Sequence, residues 1–312
     1  MGKITVIVPQ QLAGERLDKA LSLLYPEHSR ARLQSWIKAG NVAVDNKVLR
    51  QKDTVKAGQS IVVIPEFEPD ERHSGEAIPL DIIHEDREIL IINKPAGLIV
   101  HPGAGNPEHT LLNALLYYHS GLEQVARAGI VQRLDKDTSG IMVIAKTPTV
   151  HTYLVRQLRD RNIHREYQAV VTGAMTGGGR IEAPIGRHHL HRKRMAIVAS
   201  GKPAITHYRI IKKYPAVTHL MVRLETGRTH QIRVHMAYLR HPVIGDPVYG
   251  GRRRLPANIP QSLAEVIRAF PRQALHAFRI ELVHPASNKL MRWTAPLPAD
   301  MRDLIDALEN GE

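Results

Sequence analysis

Two carboxylates flank a cation in the segment 132–140, QRLDKDTSG, which directly precedes an apolar run. Asp135 and Asp137 are side chains that could act as nucleophile, general base or general acid. The neighbouring Arg133 and Lys136 favour the ionised form of both carboxylates. Because a loop at the edge of a buried strand is a rigid mount for a reactive side chain, this segment is a candidate catalytic loop. The same pattern also fits a polar turn that only caps the strand.

A second group of polar residues lies in the segment 225–235, ETGRTHQIRVH. We predict a helix over 229–239 with Thr229 as its N-cap. His230 and Arg233 are three residues apart, so they can share one helix face. An arginine near this helix start could pair with a carboxylate delivered from elsewhere, although a solvated surface helix would carry the same charges.

Two single residues add to the candidate chemistry. Lys94 begins the sequence Lys-Pro-Ala-Gly after an apolar run, which predicts a sharp turn that holds an ammonium near a sheet edge. Tyr167 stands in a predicted strand over 166–172. It could pack in the core, or it could stack on a nucleic-acid base.

The tract 187–194, RHHLHRKR, is the densest basic segment of the chain. Its three histidines do not form a zinc pattern, because they contain no helical i, i+4 pair and have no acidic neighbour. A loop that contacts phosphates explains the composition better. The cations of this loop are Arg187, Arg192, Lys193 and Arg194.

The overall charge points to a polyanionic partner. The 312 residues include 43 Lys and Arg but only 30 Asp and Glu, so the net charge is +13 before any of the 18 histidines is protonated. Nucleic acid and an anionic membrane surface are the two partners such a balance favours. No apolar run is long enough to span a membrane, and the N-terminus is charged too early for a secretory signal. We therefore expect a soluble cytoplasmic protein.

Several kinds of chemistry are excluded or lack support. The absence of cysteine excludes disulfides, thiolate zinc sites and cysteine nucleophiles, and it fits a reducing compartment. The chain has no phosphate-binding GxxxxGK[ST] loop, no GxGxxG after a strand, no HExxH and no GxSxG. Nucleotide hydrolysis, dinucleotide redox chemistry, helical zinc-protease chemistry and serine hydrolysis are therefore unsupported.

The predicted elements divide the chain into three parts. Residues 1–65 alternate helices and short strands and form a small α/β domain, whose second helix exposes Arg30, Arg32 and Lys38. Residues 66–77 are acidic, contain proline and glycine, and are predicted to be a solvated linker. In residues 78–312 strands outnumber helices and often join through short turns, which predicts an α+β domain with a mixed, largely antiparallel sheet.

Taken together, these segments resemble the RluA-type RNA pseudouridine synthases, and most closely their RluD branch. The similarity runs in order through nearly the whole chain. It rests on the following sequences: Lys94-Pro-x-Gly97, Val100-His-Pro-Gly-Ala-Gly-Asn-Pro107, Arg133-Leu-Asp-x-x-Thr-Ser-Gly140, Glu166-Tyr167, Thr226-Gly-Arg-Thr-His-Gln-Ile-Arg-Val-His235, Gly245-Asp-Pro-Val-Tyr249 and Leu275-His-Ala277. Residues 13–64 resemble the small RNA-binding domain of the S4 type.

The resemblance implies an enzyme that isomerises uridine to pseudouridine in RNA without a cofactor or metal. Asp135 matches the essential aspartate, Arg233 the arginine that pairs with it, and Tyr167 the tyrosine that stacks on the target base. The matching substrate contacts are Lys94, Arg133, Arg228, His230 and Leu275. Position 132 is Gln, where relatives usually have His.

The resemblance also implies the partner, and the chemistry keeps alternatives open. The expected substrate is large-subunit (23S) ribosomal RNA, in particular the helix-69 stem-loop, free or in an assembling 50S particle, and a monomer is expected to act. The carboxylate could attack the anomeric carbon to give an acylal, or it could remove a sugar proton to give a glycal. Two other functions remain to be weighed: a non-catalytic RNA-binding assembly factor, and a hydrolase that uses Asp135 and Asp137 as an acid/base pair.

Overall fold

The computed structural model describes residues 4–25, 30–64, 73–103, 105–191, 194–251 and 259–310. The chain divides into two compact units, Met1–Arg72 and His73–Glu312. Most of the predicted linker lies outside the described residues, so its bounds stay a prediction.

The first unit is a four-stranded antiparallel sheet with two helices. Its elements are β1 (Ile4–Ile7), α1 (Leu17–Leu24), α2 (Arg30–Lys38), β2 (Val42–Val44), β3 (Lys47–Val48) and β4 (Ser60–Val63). The strand order is β1-β4-β2-β3. Leu17 and Leu21 of α1 and Leu33 and Trp36 of α2 are almost fully buried and form the core of this unit.

The predicted basic helix is α2. Lys38 is exposed in its last turn. The side chains of Arg30 and Arg32 lie outside the described part of the chain, so their place on the helix surface stays a prediction.

The second unit contains a nine-stranded sheet and a separate two-stranded sheet. The strands of the large sheet are β5 (Ile82–Glu85), β6 (Ile89–Lys94), β7 (Ser139–Ala145), β8 (His164–Thr172), β9 (Gly179–Glu182), β12 (Ile205–Lys213), β13 (Val217–Leu224), β14 (Leu275–Val283) and β15 (Leu290–Thr294), and those of the small sheet are β10 (Ile185–Arg187) and β11 (Met195–Ile197). Its helices are α3 (Leu111–Tyr118), α4 (Pro148–Arg159), α5 (Gln231–Tyr238), α6 (Gln261–Ala269) and α7 (Ala299–Asn310).

The sheet is mixed but mostly antiparallel, as the sequence predicted. The strand order is β5-β6-β7-β14-β8-β13-β12-β9, with β15 paired to β14 and with β10 and β11 in a separate hairpin. The pairing of β7 with β14 is parallel, and the other described strand pairs of this sheet are antiparallel. No helix in the described ranges is both long enough and apolar enough to cross a membrane.

The centre of this sheet positions the candidate catalytic loop. Every residue of β7 is buried, and the loop that carries Asp135 leads directly into it. β7 and β14 approach closely at Gly140, which has φ +117° and where a β-carbon would lie 2.2 Å from the carbonyl oxygen of Ala277. Only glycine fits this contact, so Gly140 fixes the distance between the two central strands.

Candidate active site

A cavity of about 840 Å³ lies where the loop before β7, strand β8 and the segment leading into α5 meet. Seven residues predicted from the sequence as catalytic or substrate-binding line it: Arg133, Asp135, Tyr167, Arg228, His230, Arg233 and Leu275. These residues come from four separate stretches of the chain, so the fold brings together what the sequence separates.

Asp135 and Arg233 form the centre of the site. Nη1 of Arg233 donates to Oδ2 of Asp135 at 2.8 Å, and the Asp135 side chain remains 24% exposed to the cavity. The guanidinium therefore holds the carboxylate in one orientation, while one side of the carboxylate stays open.

A second carboxylate holds the arginine from behind. Nε and Nη2 of Arg233 donate to Asp246 at 2.7 and 2.9 Å, and the Asp246 side chain is fully buried. Burial alone raises the pKa of Asp246, but its hydrogen bonds to Arg233 and the charge of that arginine bring it below its ordinary value. Burial alone lowers the pKa of Arg233, whereas the two carboxylates raise it above its ordinary value. Asp246 and Arg233 are therefore both charged at neutral pH.

The start of α5 aims Arg233 at Asp135. The helix begins at Gln231, one residue after His230, which takes the left-handed conformation with φ 56°. The Gln231 side chain accepts the backbone N–H of Arg228 at 2.9 Å and donates to the carbonyl of Ile205 at 2.9 Å. This amide ties the helix start to β12 and thereby fixes the direction of the first turn.

Asp246 is placed by a turn that requires glycine. Gly245 has φ +76°, and a β-carbon there would lie 1.6 Å from the carbonyl oxygen of Arg272. The carboxylate of Asp246 also accepts the backbone N–H groups of Val248 and Tyr249 at 2.8 and 3.0 Å. The sequence Gly245-Asp-Pro-Val-Tyr249 was recognised as a motif, but neither Asp246 nor Tyr249 was predicted as a site residue. The signal that could have found them is this motif itself.

His230 contacts both Asp135 and Tyr249. Its Nε2 lies 3.8 Å from Oδ1 of Asp135, and its Nδ1 lies 2.8 Å from the hydroxyl of Tyr249. Burial lowers the pKa of His230, against the opposing effect of the Asp135 charge. When Tyr249 donates its hydroxyl proton to Nδ1, Nε2 carries the proton that faces Asp135.

Tyr167 and Leu275 form an apolar wall of the cavity. Tyr167 on β8 is 7% exposed, and Leu275 at the start of β14 is 4% exposed. Burial raises the pKa of the Tyr167 phenol above its ordinary value, so the ring is neutral at pH 7. Such a wall excludes water from the carboxylate and offers a flat surface to a base.

Lys94 occupies a different place from the one expected. It is fully buried, and its ammonium donates to the carbonyls of Pro95, Leu98 and Lys136 at 2.7, 2.8 and 3.0 Å. Burial lowers the pKa of Lys94 to about 7. These hydrogen bonds join the turn after β6 to the loop that carries Asp135, and Lys94 is not among the residues that line the cavity. Its contact with substrate stays a prediction.

The acid/base pair that a hydrolase would need is not assembled here. Asp135 lines the cavity, whereas Asp137 is not among the residues that line it. The backbone carbonyl of Asp137 instead accepts a hydrogen bond from Arg272 at 3.0 Å.

The cavity is basic beyond the predicted residues. Arg133 is exposed, and Arg228 donates from Nε to the carbonyl of Pro203 at 3.0 Å. Further arginines that line the cavity and were not predicted are Arg127, Arg159, Arg161 and Arg165. Arg165 could have been found by the two-residue period of a strand, because it precedes Tyr167 by two positions. His101 also lines the cavity, and its signal was the motif Val100-His-Pro-Gly-Ala-Gly-Asn-Pro107. The other three arginines carried no local signal.

The described residues of the basic tract, 187–191 and 194, lie at the end of the β10–β11 hairpin. Arg187 and Arg194 are exposed there, whereas Arg192 and Lys193 lie outside the described residues. The ring of His188 stacks on that of His189 with centroids 4.8 Å apart. Among the residues that the structure describes, no group of three or more His, Asp or Glu side chains could hold a metal ion. Contact of this tip with RNA stays a prediction.

Comparison with known proteins agrees with this arrangement. Residues 88–238 match the family model described as RNA pseudouridylate synthase, and residues 15–61 match that of the S4 domain. The chain is 52% identical to ribosomal large subunit pseudouridine synthase D of Pseudomonas aeruginosa, over 96% of this chain and 94% of that protein. It is 50% identical to the protein of the same name from Escherichia coli, over 98% of this chain and 94% of that protein.

Solved structures share the fold. The structure of human RNA pseudouridylate synthase domain containing 1 aligns with a TM-score of 0.58 and 24% identity, over 75% of this chain and 90% of that one. The assignment to a family rests on the relatives that are 50–52% identical over nearly their full length, and not on this similarity of fold. The chain belongs to the RNA pseudouridylate synthase family, as an RNA pseudouridine synthase with an S4 domain ahead of its catalytic domain.

Proposed function

We propose that this enzyme isomerises uridines of large-subunit ribosomal RNA in the cytoplasm and that Asp135 is its catalytic carboxylate. The observation that carries the proposal is the Asp135 carboxylate itself, open to a basic cavity and held at 2.8 Å by Arg233. The names of the relatives support the class of RNA. The helix-69 stem-loop is the substrate we infer within it.

The reaction needs one carboxylate and a closed space. The bond from ribose C1′ to uracil N1 breaks, the base turns, and C1′ joins C5 of the same base. The proton on C5 is lost and N1 gains one, so the product is an isomer. Asp135 serves by attacking C1′ or by removing the neighbouring sugar proton. Arg233 holds the Asp135 carboxylate in one orientation in either case, because its guanidinium donates a charge-assisted hydrogen bond to it.

The remaining residues of the cavity admit the target nucleotide and exclude water. A uridine stacked in RNA does not reach Asp135, so the nucleotide must be flipped into the cavity, at about a few kcal/mol and less from a loop than from a duplex. Tyr167 and Leu275 exclude water that would otherwise hydrolyse the cleaved sugar. The charge of +13 supports phosphate contacts that offset the flipping cost.

The catalytic role is tested by Asp135→Asn with helix-69 RNA that carries tritium at uridine C5. We expect the wild-type enzyme to release label to water and the variant to release none, while RNA affinity stays within about threefold because the amide keeps the shape. Asp137→Asn is the matched control, since its side chain does not line the cavity, and it should retain most activity. Turnover by Asp135→Asn at the wild-type rate would remove Asp135 from this role.

The substrate is tested by mapping pseudouridines in ribosomal RNA from cells that lack this protein. We expect modifications to be missing in helix 69 of the large subunit and to return when the wild-type gene, but not Asp135→Asn, is supplied. Complete modification of helix 69 in those cells would contradict the proposed substrate. Release of free uracil in the tritium assay would instead favour hydrolysis.

A further inference from the structure

Arg165 lies in the cavity beside the groups assigned above. It precedes Tyr167 by two residues on β8, so both side chains are on the same face of the sheet. A β-carbon built on Gly227 would lie 2.8 Å from Nη1 of Arg165. The guanidinium therefore lies over the backbone just before α5, in space that the missing side chain at position 227 leaves open.

The Nε atom of Arg165 is buried and has no hydrogen-bond partner among the described residues. No described carboxylate forms an ion pair with this half-buried side chain. A buried charged donor without an acceptor costs free energy, so such a group in a native protein calls for an explanation. Arg127 and Arg133 also lack ion pairs there, but both are exposed and water solvates them.

The nearby carboxylates are engaged elsewhere. Glu166 points to the opposite face of the sheet, where its Oε2 lies 3.1 Å from Nη1 of Arg279. Glu225 lines the cavity, but it is bonded to Arg161 at 2.9 Å and to His207 at 2.6 Å. Arg165 is therefore available to bind an anionic group of a ligand.

The flipped nucleotide supplies one class of anion. Its uracil and ribose are neutral, and the negative charges lie on the phosphates that join it to its neighbours. A guanidinium presents paired donors that match two phosphate oxygens. Since Arg165 and Asp135 line the same cavity, a phosphate bound by one places the sugar near the other.

We propose that Arg165 binds a phosphate adjacent to the flipped uridine and thereby positions its sugar at Asp135. This inference rests on the proposed function. It assigns to Arg165 a substrate contact that a role in packing alone would not require.

The test pairs a protein change with an RNA change. The RNA is the helix-69 stem-loop with one uncharged methylphosphonate, placed either 5′ or 3′ of the target uridine. For the wild-type enzyme we expect one of these RNAs to bind on the order of tenfold more weakly, as for a lost charge-assisted hydrogen bond. Arg165→Gln should bind unmodified RNA more weakly than the wild type by a similar factor. The methylphosphonate that weakens wild-type binding should not weaken binding by this variant any further.

Two further variants sharpen the result. Arg161→Gln removes another cavity guanidinium, but one already paired with Glu225, and it should keep the full methylphosphonate penalty. Gly227→Ala displaces the Arg165 guanidinium without changing any charge, so it should reproduce Arg165→Gln. If Arg165→Gln does not fold, Gly227→Ala decides the question.

The outcomes separate the two proposals. The inference is overturned if each methylphosphonate RNA loses as much affinity for Arg165→Gln and Gly227→Ala as it loses for the wild-type enzyme. Arg165 would then bind neither phosphate. In that case the wild-type enzyme still releases tritium from unmodified RNA. Failure of the wild type to release tritium would overturn the proposed function instead.

Discussion

At the scale of single residues, the site depends on a buried carboxylate that has no access to substrate. Asp246 is fully buried and accepts hydrogen bonds from Nε and Nη2 of Arg233 through both oxygens, which leaves Nη1 of Arg233 to donate to Asp135. The orientation of the Asp135 carboxylate is thus influenced by Asp246, which contacts Arg233 and not Asp135 itself. A residue placed in this way acts on the rate and not on binding.

We expect Asp246→Asn to lower kcat by about ten- to a hundredfold, because a charge-assisted hydrogen bond to Arg233 is lost. RNA affinity should change little, since Asp246 does not touch the cavity. Single-turnover tritium release and filter binding measure the two effects. Asp300→Asn is a matched control, because Asp300 binds Arg272 with the same two-pronged geometry at 2.6 and 2.8 Å outside the cavity. Equal losses of kcat in both variants would contradict the assignment.

The sequence predicted those site residues that belong to a recognisable motif. Asp135, Tyr167 and Arg233 were predicted, and the structure brings them to one cavity, although their roles stay predictions. The surroundings of Lys94 could not be predicted, because its ammonium is bound by three backbone carbonyl groups and the sequence does not give the positions of backbone atoms. The strand period could have indicated that Arg165 shares a sheet face with Tyr167, but the buried Nε of Arg165 without a hydrogen-bond partner is evident only in the structure.

At the scale of elements, the parallel contact between β7 and β14 holds the two walls of the site at a fixed distance. β7 continues from the Asp135 loop, and β14 begins with Leu275. Gly140 and Ala277 are paired directly across the two strands. Any side chain at position 140 must therefore push the strands apart.

We expect Gly140→Ala to lower the free energy of unfolding by about 3 kcal/mol or more, because a buried backbone clash joins an unfavourable φ. Urea denaturation measures it. Gly177→Ala is the control: no atom lies within 4 Å of a β-carbon there, so its unfolding free energy should change by less than about 0.5 kcal/mol. A Gly140→Ala protein as stable as Gly177→Ala would show that the strands can separate freely.

Apolar runs predicted many strands, but pairing and boundaries followed less well. β14 and β15 are joined by a short turn and pair antiparallel. The parallel partner of β7 was not predicted, because Ser139 and His276 are 137 residues apart. The prediction of Thr229 as an N-cap was wrong, because His230 adopts φ 56° and the helix starts at Gln231.

At the scale of the whole molecule, buried neutral histidines make the fold sensitive to acid. His219 is 6% exposed and contacts Gln168 at 2.9 Å, and His276 is fully buried and contacts Ser139 at 3.0 Å. Burial lowers the pKa of each to about 4. Between pH 6.5 and 4 the unfolded chain binds protons at these positions that the folded chain does not bind.

The free energy of unfolding should therefore fall as pH drops from 6.5 to 4, by about 3 kcal/mol for each histidine. Asp86, whose pKa is lowered to about 2, contributes only below pH 4. Urea midpoints at pH 7 and 4.5 measure the loss. His219→Gln should reduce it, whereas His189→Gln, an exposed control, should not. Equal losses in all three proteins would place the acid sensitivity elsewhere.

The order of strands in the large sheet has a consequence for synthesis on the ribosome. β14 (Leu275–Val283) lies between β7 and β8, although both precede it by more than a hundred residues. The S4 unit, in contrast, closes its sheet within residues 4–63. Because chains emerge from the N-terminus, the small unit is complete while the large sheet still lacks its middle strand. A nascent chain therefore completes its S4 domain well before it completes the sheet that carries the candidate active site.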